Sequence, residues 1–402
     1  MQYEIIPDLI NEVGVLTPKL EKVIHTLEWV RIEEFVQSTW SGTGRPPHDR
    51  QMLASAFVAK TVLGIKTTVG LIERLGIDKA LRRICGFSLN KKLPHEACFS
   101  RTFAEFAESN LAERAHESMI KKHLGESLIG HISRDATAIE AREKPNKTEH
   151  KVKCAEKADL VTAAEAAELM ESAKAVAETV AAKDEVVEVN ACKDNALASA
   201  CQTKEAKSKP GRKKKSTSLP PPPKRIEVQL QQTLPQMLRE IPQGCDRGSK
   251  CNAQGYKVSW NGYKLHIDTA DCGVAVSALL SSASMHDSQA AIPLSLITAG
   301  RVTNCYDLMD AAYCSEHLRD HSRSLGHVPL IDHNPRRGEK REFMPHEAER
   351  YKERTQAERT NARLKDEFGG NDIWVRGHDK VKSHLMFGLL ALTADQLMRL
   401  LT

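Results

Sequence analysis

The sequence contains few aromatic residues, no long apolar segment and no pair of cysteines with CxxC spacing. Aromatic residues make up 5% of the 402 residues, although the hydrophobic share of 41% is normal for a globular protein. No run of about 18 apolar residues is present, which excludes a membrane-spanning helix. The first residues mix acids with apolar side chains and lack the pattern of a secretion signal. We therefore expect a cytoplasmic protein with no membrane partner.

The ten cysteines are scattered along the chain, which is typical of a reducing compartment and not of a disulfide framework. Cys245, Cys251 and His266 could be argued to bind zinc, but their spacing does not match the usual zinc modules. The net charge of +5 is mild. It allows a polyanionic partner without requiring one.

Composition divides the chain into regions of different character. Residues 1–125 predict short helices joined by Gly-containing turns, which suits a helix-turn-helix-like DNA-binding module. A helical bundle used for dimerisation explains the same pattern equally well. Residues 142–255 are rich in Ala, Glu and Lys and also contain a basic run at 207–215 and four prolines at 220–223. This composition predicts a low-complexity, basic, Pro-rich insertion or linker without a fold of its own.

Two details are predicted within the N-terminal helical region. Asp49 is a plausible N-cap for the helix that follows it. Phe99, Phe103 and Phe106 recur at helical spacing, which favours a role in the core over one in base stacking.

Residues 126–141 and 256–402 predict a mixed α/β domain. Three strands in a row, with a hairpin turn at 271–273, are followed by alternating strands and helices, and this order predicts a mixed sheet with flanking helices. Asp135 lies in the first strand, and Asp310 lies at the end of the fourth. The first and fourth strands can be neighbours in this topology, which would bring the two carboxylates together.

The segment 351–365 lacks Gly and Pro and predicts a continuous helix. At roughly 100° per residue, its residues Tyr351, Arg354, Glu358 and Lys365 fall within about 60° of one another. A solvated helix with weak ion pairs is the simpler interpretation of this segment by itself. Together with Asp135 and Asp310, however, Glu358 would complete a set of three carboxylates. Such a set suits two hard divalent cations about 4 Å apart, which can bind the attacking and leaving oxygens of a phosphodiester.

At this point the chain resembles the DDE (Asp-Asp-Glu) transposases of bacterial insertion sequences, over about residues 40–110 and 127–402. The segment 351–365 matches the Tyr-x2-Arg-x3-Glu-x6-Lys signature of that family in every position. The further matching motifs are Asp310-Ala-Ala-Tyr313, Asn261-Gly-Tyr-Lys264, His286-Asp-Ser288 and Gly44-Arg-Pro-Pro47 with Leu53. The context of Asp135 is the least distinctive.

The resemblance implies a ribonuclease-H-like fold, two Mg²⁺ ions (with Mn²⁺ as a substitute) and a homodimer located with the bacterial nucleoid. It also implies metal-dependent cleavage at terminal inverted repeats, then strand transfer of the freed 3′-OH into target DNA. The implied catalytic and metal-binding residues are Asp135, Asp310 and Glu358. The implied DNA-binding residues are Tyr351, Arg354, Lys365, Asn361, Arg359 and Lys264. A metal-dependent nuclease without strand transfer and a non-catalytic DNA-binding protein derived from a transposase are the alternatives.

The chain departs from some relatives in where its long insertion lies. Those relatives carry a large β-rich insertion between the fifth strand and the helix with the Glu, whereas only a short loop, 334–345, fills that gap here. The long insertion follows the strand of the first acid instead. Asp287 could also approach the site, although a residue in its position is more often a helix N-cap.

Overall fold

The computed structural model describes residues 14–37, 47–145, 223–251, 254–334 and 342–401. The sequence motif at 44–46, the basic run at 207–215 and the prolines at 220–222 lie outside the described residues. None of the described helices combines the length and the apolar character that are needed to cross a membrane.

Helices make up the N-terminal part of the chain. They are α1 (Pro18–Val30), α2 (Arg50–Val62), α3 (Thr68–Ile77), α4 (Lys79–Ile84), α5 (Glu96–Glu108) and α6 (Leu111–Leu124), with a short 3₁₀ turn at Ile32–Phe35. The Asp49 side chain accepts a hydrogen bond from the Gln51 N–H, as the N-cap prediction requires. These helices agree with the all-helical prediction for residues 1–125 as far as they are described.

The predicted aromatic stripe is part of the core. Phe99, Phe103 and Phe106 are buried, and the ring of Phe57 contacts all three. Phe387, from the last helix of the chain, also contacts Phe57 and Phe103. The N-terminal helices and the C-terminal part of the chain therefore share one hydrophobic core.

The rest of the described chain alternates strands and helices. The strands are β1 (Leu128–Glu140), β2 (Asp246–Cys251), β3 (Lys257–Ala270), β4 (Ala275–Ser282), β5 (Thr303–Met309) and β6 (Val328–Ile331). The helices are α7 (Arg225–Gln229), α8 (Leu234–Glu240), α9 (Ser288–Ala299), α10 (Glu316–Ser324), α11 (Pro345–Tyr351), α12 (Thr355–Asp366) and α13 (His378–Leu401). Short 3₁₀ turns lie at Ala311–Tyr313 and Lys352–Arg354.

The strands form one mixed sheet. Its order is β2-β3-β1-β5-β6, and β4 also pairs with β3. β3 is antiparallel to β1, β2 and β4, whereas β1, β5 and β6 run parallel. The first strand of the chain therefore lies beside the strand that ends at Asp310, as the sequence predicted.

Local sequence explains the β3–β4 hairpin. Gly273 has φ +77°, in the left-handed region that glycine adopts without a steric penalty, and its N–H bonds to the Ala270 carbonyl. β4 consists of small and apolar residues, and all eight are buried. Helices α9 and α13 pack against it. The hairpin turn predicted at 271–273 is present.

The structure differs from the prediction that residues 142–255 form an insertion without a fold. Residues 225–251 form α7, α8 and β2, and β2 pairs with the first half of β3. Met237 of α8 is buried beside Ile292 of α9, and Gln229 donates a hydrogen bond to the Gln289 carbonyl over 2.8 Å. The apolar residues of these short elements are sparse in sequence. They become part of a core only because α9 lies against them, a contact that composition does not reveal.

Candidate active site

Two of the predicted acids lie side by side in the sheet. Arg134 of β1 is paired with Met309 of β5 in the parallel ladder, so the residues that follow them, Asp135 and Asp310, occupy neighbouring positions on one face. Asp310 directly follows the last residue of β5 and accepts a hydrogen bond from the Ala312 N–H over 3.0 Å. Backbone pairing of β1 and β5 therefore sets the spacing of these two carboxylates.

The helix α12 approaches the same face of the sheet. It packs against β1 and β3, and its buried residues include Ala357, Asn361 and Leu364. Asn361 Nδ2 donates a hydrogen bond of 2.9 Å to Asp135 Oδ2. This contact joins residues 226 positions apart in the chain. It ties α12 directly to the first acid.

The third predicted acid, Glu358, lies on the exposed side of α12. Its side chain is 55% exposed, and its carboxylate accepts a hydrogen bond of 2.6 Å from Arg354 Nη2. The same guanidinium lies 3.8 Å from Asp135 Oδ1. Arg354 therefore stands between the first and third acids and offsets part of their negative charge.

Burial raises the pKa of Asp135 to about 6. The neighbouring charge of Arg354 lowers it, while Asp310 and Glu358 raise it. Burial also raises the pKa of Asp310, against the effects of the Ala312 N–H and Arg354. Both carboxylates thus carry negative charge that the protein solvates poorly.

The donor set suits a hard divalent cation, because carboxylate oxygens in a poorly solvated, negatively charged site are the ligands that Mg²⁺ and Mn²⁺ prefer. Asp135 and Asp310 fit this description by position and by pKa. Among the residues that the structure describes, however, no group of three His, Cys, Asp or Glu side chains is close enough to hold a metal ion. Glu358 is bound to Arg354 instead. Cys245, Cys251 and His266, the alternative zinc ligands, also form no such group.

The segment 351–365 is helical, as its sequence predicted, and it contains one short 3₁₀ turn. α11 ends at Tyr351, a 3₁₀ turn covers Lys352–Arg354, and α12 begins at Thr355. The backbone at Tyr351, Arg354 and Thr355 keeps right-handed helical dihedral angles. The Tyr351 hydroxyl donates a hydrogen bond of 3.1 Å to the Met309 carbonyl, and its ring packs on Phe343. Burial raises the pKa of this hydroxyl to about 12. The 3₁₀ turn thus follows a residue that contacts the end of β5, beside the acids.

The predicted DNA-binding residues fall into two groups. Tyr351, Arg354 and Lys365 are half-buried, and Arg359 is exposed. Burial, with Lys250 nearby, lowers the pKa of Lys365. The other two bind protein partners. Asn361 is buried and donates its hydrogen bond to Asp135. Lys264 Nζ donates to Asp287 Oδ1 over 2.8 Å and to the Met285 carbonyl over 2.9 Å.

Sequence reasoning missed two ion pairs near the site. Asp287 occupies the N-cap position of α9, but its side chain makes no capping hydrogen bond, and its carboxylate binds Lys264 instead. On the other face of β1, Arg134 binds Asp268 through two hydrogen bonds of 2.7 and 2.8 Å, and both side chains are fully buried. The sequence did contain a signal for the second pair: Arg134 and Asp268 carry opposite charges within apolar strands. Charged residues are rarely buried unless they are paired, so the two could have been predicted to bind each other.

Comparison with known proteins gives two matches to family models. A model described as a transposase domain (DUF772) matches residues 11–105, and a model described as a transposase DDE domain matches residues 227–394. Searches of curated proteins and of solved structures returned no match. Asp310 and Glu358 lie within the second matched range, whereas Asp135 lies outside both.

Proposed function

Because the chain belongs to the DDE insertion-sequence transposases, enzymes that cleave and transesterify nucleic acid with divalent metal ions, we propose that it moves an insertion sequence. The proposed reaction is cleavage of DNA at the terminal inverted repeats, then attack of the freed 3′-OH on target DNA. One observation supports this proposal above the others. The parallel register of β1 and β5 brings Asp135 and Asp310 together, and α12 binds Asp135.

Asp135, Asp310 and Glu358 are the proposed metal ligands, with Mg²⁺ as the physiological ion and Mn²⁺ as a substitute. When bound, two such ions supply positive charge to the attacking and leaving oxygens of the phosphodiester. The protein holds two of the carboxylates by backbone pairing and the third by the position of α12. Glu358 must leave Arg354 to join the other two acids.

Phosphate contacts are assigned to the cations that border these acids. Arg354, Lys365 and Arg359 lie on the segment that carries Glu358, so DNA at the acids would meet them. A guanidinium is suited to this role because it binds phosphate oxygens bidentately. Tyr351 remains a proposed DNA contact, and its bond to Met309 also orients it.

The two remaining predicted DNA contacts are reassigned as positioning residues. Asn361 orients the Asp135 carboxylate through its amide. Lys264 holds Asp287 at the start of α9. A homodimer that pairs two DNA ends inside the nucleoid completes the proposal, because joining an element requires both of its ends.

A strand-transfer assay tests the proposed function. The substrate is a pre-cleaved DNA end taken from the repeats that flank the gene, incubated with target DNA and Mg²⁺. Wild type should give joined products, and Glu358→Gln should give none because it lacks the third carboxylate. The matched control is Glu353→Gln, which removes an exposed carboxylate from the same segment and should retain joining.

Other outcomes of this assay separate the alternatives. Cleavage of an uncut end without any joining would identify a nuclease. DNA binding without either reaction would identify a non-catalytic DNA-binding protein. Full joining by Glu358→Gln would contradict the assignment of this residue.

A further inference from the structure

A positively charged groove lies away from the acids, between the N-terminal helices and the end of the chain. Its volume is about 440 Å³. Residues from α2, α3 and α5 line one side, and residues that follow β1 or that precede and begin α13 line the other. The cations that line it are Lys60, Lys66, Arg142, Arg376 and Lys380. Glu96 is the carboxylate among its described lining residues.

Several of these charges are not neutralised by the protein. Lys66 binds Asp372 over 3.1 Å, but Arg376 and Lys380 are exposed and have no ion-pair partner among the residues that the structure describes. Burial lowers the pKa of Lys60 to about 8, although Asp372 raises it. A concave surface lined by one sign of charge concentrates the electrostatic potential and attracts the opposite charge.

Two further features of the groove suit an extended anion. The first turn of α3 lines it through Thr67, Thr68 and Val69, so the positive end of that helix adds to the potential. Arg142 lies over the ring of Trp374, 5.0 Å from its centroid, and the tryptophan is 48% exposed. The ring holds the guanidinium in place at the rim of the groove.

The groove is separate from the carboxylates. Asp135 and Glu140, the last residue of β1, are five residues apart, and Arg142 follows. At about 3.3 Å per residue, these five residues span about 17 Å. Duplex DNA advances about 3.4 Å per nucleotide of each strand, so this length corresponds to about five base pairs.

We propose that this groove binds the sugar-phosphate backbone of duplex DNA, about five or more base pairs from the phosphodiester held at Asp135 and Asp310. This inference rests on the proposed function, because it assumes that DNA lies at the acids. The groove would make the N-terminal helices and the catalytic domain bind one continuous stretch of DNA. It contributes affinity and position and takes no part in the chemistry.

The test compares the full-length double variant Arg376→Gln/Lys380→Gln with the control Lys121→Gln/Lys122→Gln. The control removes two exposed positive charges from α6, outside the groove, so both variants lose the same net charge. Binding is measured without metal by fluorescence anisotropy on a duplex of arbitrary sequence at several salt concentrations. All four side chains are exposed, so we expect both variants to keep the fold, and thermal unfolding of each variant checks this.

The slope of log K against log salt is negative, and in the groove variant it should become less steep by about 1.8, because each lost phosphate contact contributes about 0.9. The control should leave the slope at the wild-type value. An unchanged slope for the groove variant, or an equal loss in both, would overturn the proposal. A loss confined to single-stranded DNA would also overturn it.

A second measurement uses duplexes that extend for different lengths beyond the pre-cleaved end. The groove variant should bind a short duplex as wild type does and should lose affinity only for duplexes long enough to reach the groove. Equal loss at every length would contradict the proposed separation. Both binding tests can be read even if the protein fails to join DNA, so failure of the groove and failure of the proposed function are distinguishable.

Discussion

The sheet and the helix α12 hold their acids in different ways. Asp135 and Asp310 are half-buried on neighbouring strands, where backbone hydrogen bonds set their spacing. Glu358 is 55% exposed on the helix surface and binds Arg354. Two acids are therefore set by the fold, whereas the third can change its side-chain rotamer without breaking any backbone contact. In the proposed site, Glu358 would therefore have to change its contacts at α12, whereas the two acids of the sheet already lie on neighbouring positions.

The largest expected effect comes from removing one of the two acids that the sheet holds. Asp310→Asn removes one of the three proposed metal ligands, and we expect cleavage and strand transfer to fall by about 10³-fold. The fold should persist, because burial already disfavours the charged form of Asp310 and an amide oxygen can still accept from Ala312. Strand-transfer rates and thermal unfolding measure the two effects.

Asp320→Asn is the matched control for that variant. Asp320 is an exposed residue of α10 that pairs with Arg323, and its loss should leave activity unchanged. Wild-type activity of Asp310→Asn would show that Asp310 is not part of the site. It would also contradict the proposal that the sheet holds a pair of acids there.

A smaller effect is expected where the helix meets the sheet. Asn361→Ala removes the hydrogen bond to Asp135, and loss of such a supporting contact costs about 10–100-fold in activity. It should also lower the free energy of unfolding by about 1–2 kcal/mol, because a buried polar partner is lost. Single-turnover rates at saturating DNA measure the first effect, and denaturant unfolding measures the second.

The exposed Asn371 provides the control, since Asn371→Ala should change neither quantity. The assay also separates two roles for Asn361. A positioning residue lowers the rate at saturating DNA, whereas a DNA contact, as the sequence predicted, lowers affinity instead. Reduced affinity with a normal rate would restore the original assignment.

The smallest effect concerns the stability of the metal-free protein as pH changes. The pKa of Asp135 is raised from 3.8 to about 6, so the fold favours its protonated form. This contribution is fully present below pH 3.8 and is lost as pH rises through about 6. Asp135→Asn should therefore stabilise the metal-free protein at pH 7 by about 1–2 kcal/mol and change little near pH 4.

Unfolding free energies of wild type and Asp135→Asn across this pH range provide the measurement. The difference between the two should shrink as pH falls. A difference that is constant with pH would show that the asparagine acts through packing and that Asp135 is not poorly solvated. The carboxylate of Asp135 on the sheet would then be no more poorly solvated than that of Glu358 on α12.

Much of the fold was predictable because it depends on local patterns. The hairpin at Gly273, the N-cap at Asp49 and the aromatic core of the N-terminal helices all follow from residues close together in the chain. The order of strands and helices also limited the sheet to a topology in which β1 and β5 can pair. These features need only backbone preferences and hydrophobic spacing.

The details of the site were less predictable. The Tyr351 hydroxyl bonds to the carbonyl of Met309, which belongs to another element. Asp287 occupies the N-cap position that local sequence favours, but its side chain pairs with Lys264 and makes no capping hydrogen bond. The elements at 225–251 gain their core contacts from α9. Each of these depends on partners that are distant in the chain.

The sequence by itself determined the order of the three acids and the signature around Glu358, since residue type and spacing along one segment suffice for them. The sequence also predicted that Asp135 could lie near Asp310, but only the tertiary structure set the register that places them on neighbouring strand positions. The parallel ladder of β1 and β5 sets the position of Asp135, and the bond from Asn361, 226 residues away, holds its carboxylate. Register between distant segments depends on which faces are buried together, and that is a property of the folded chain.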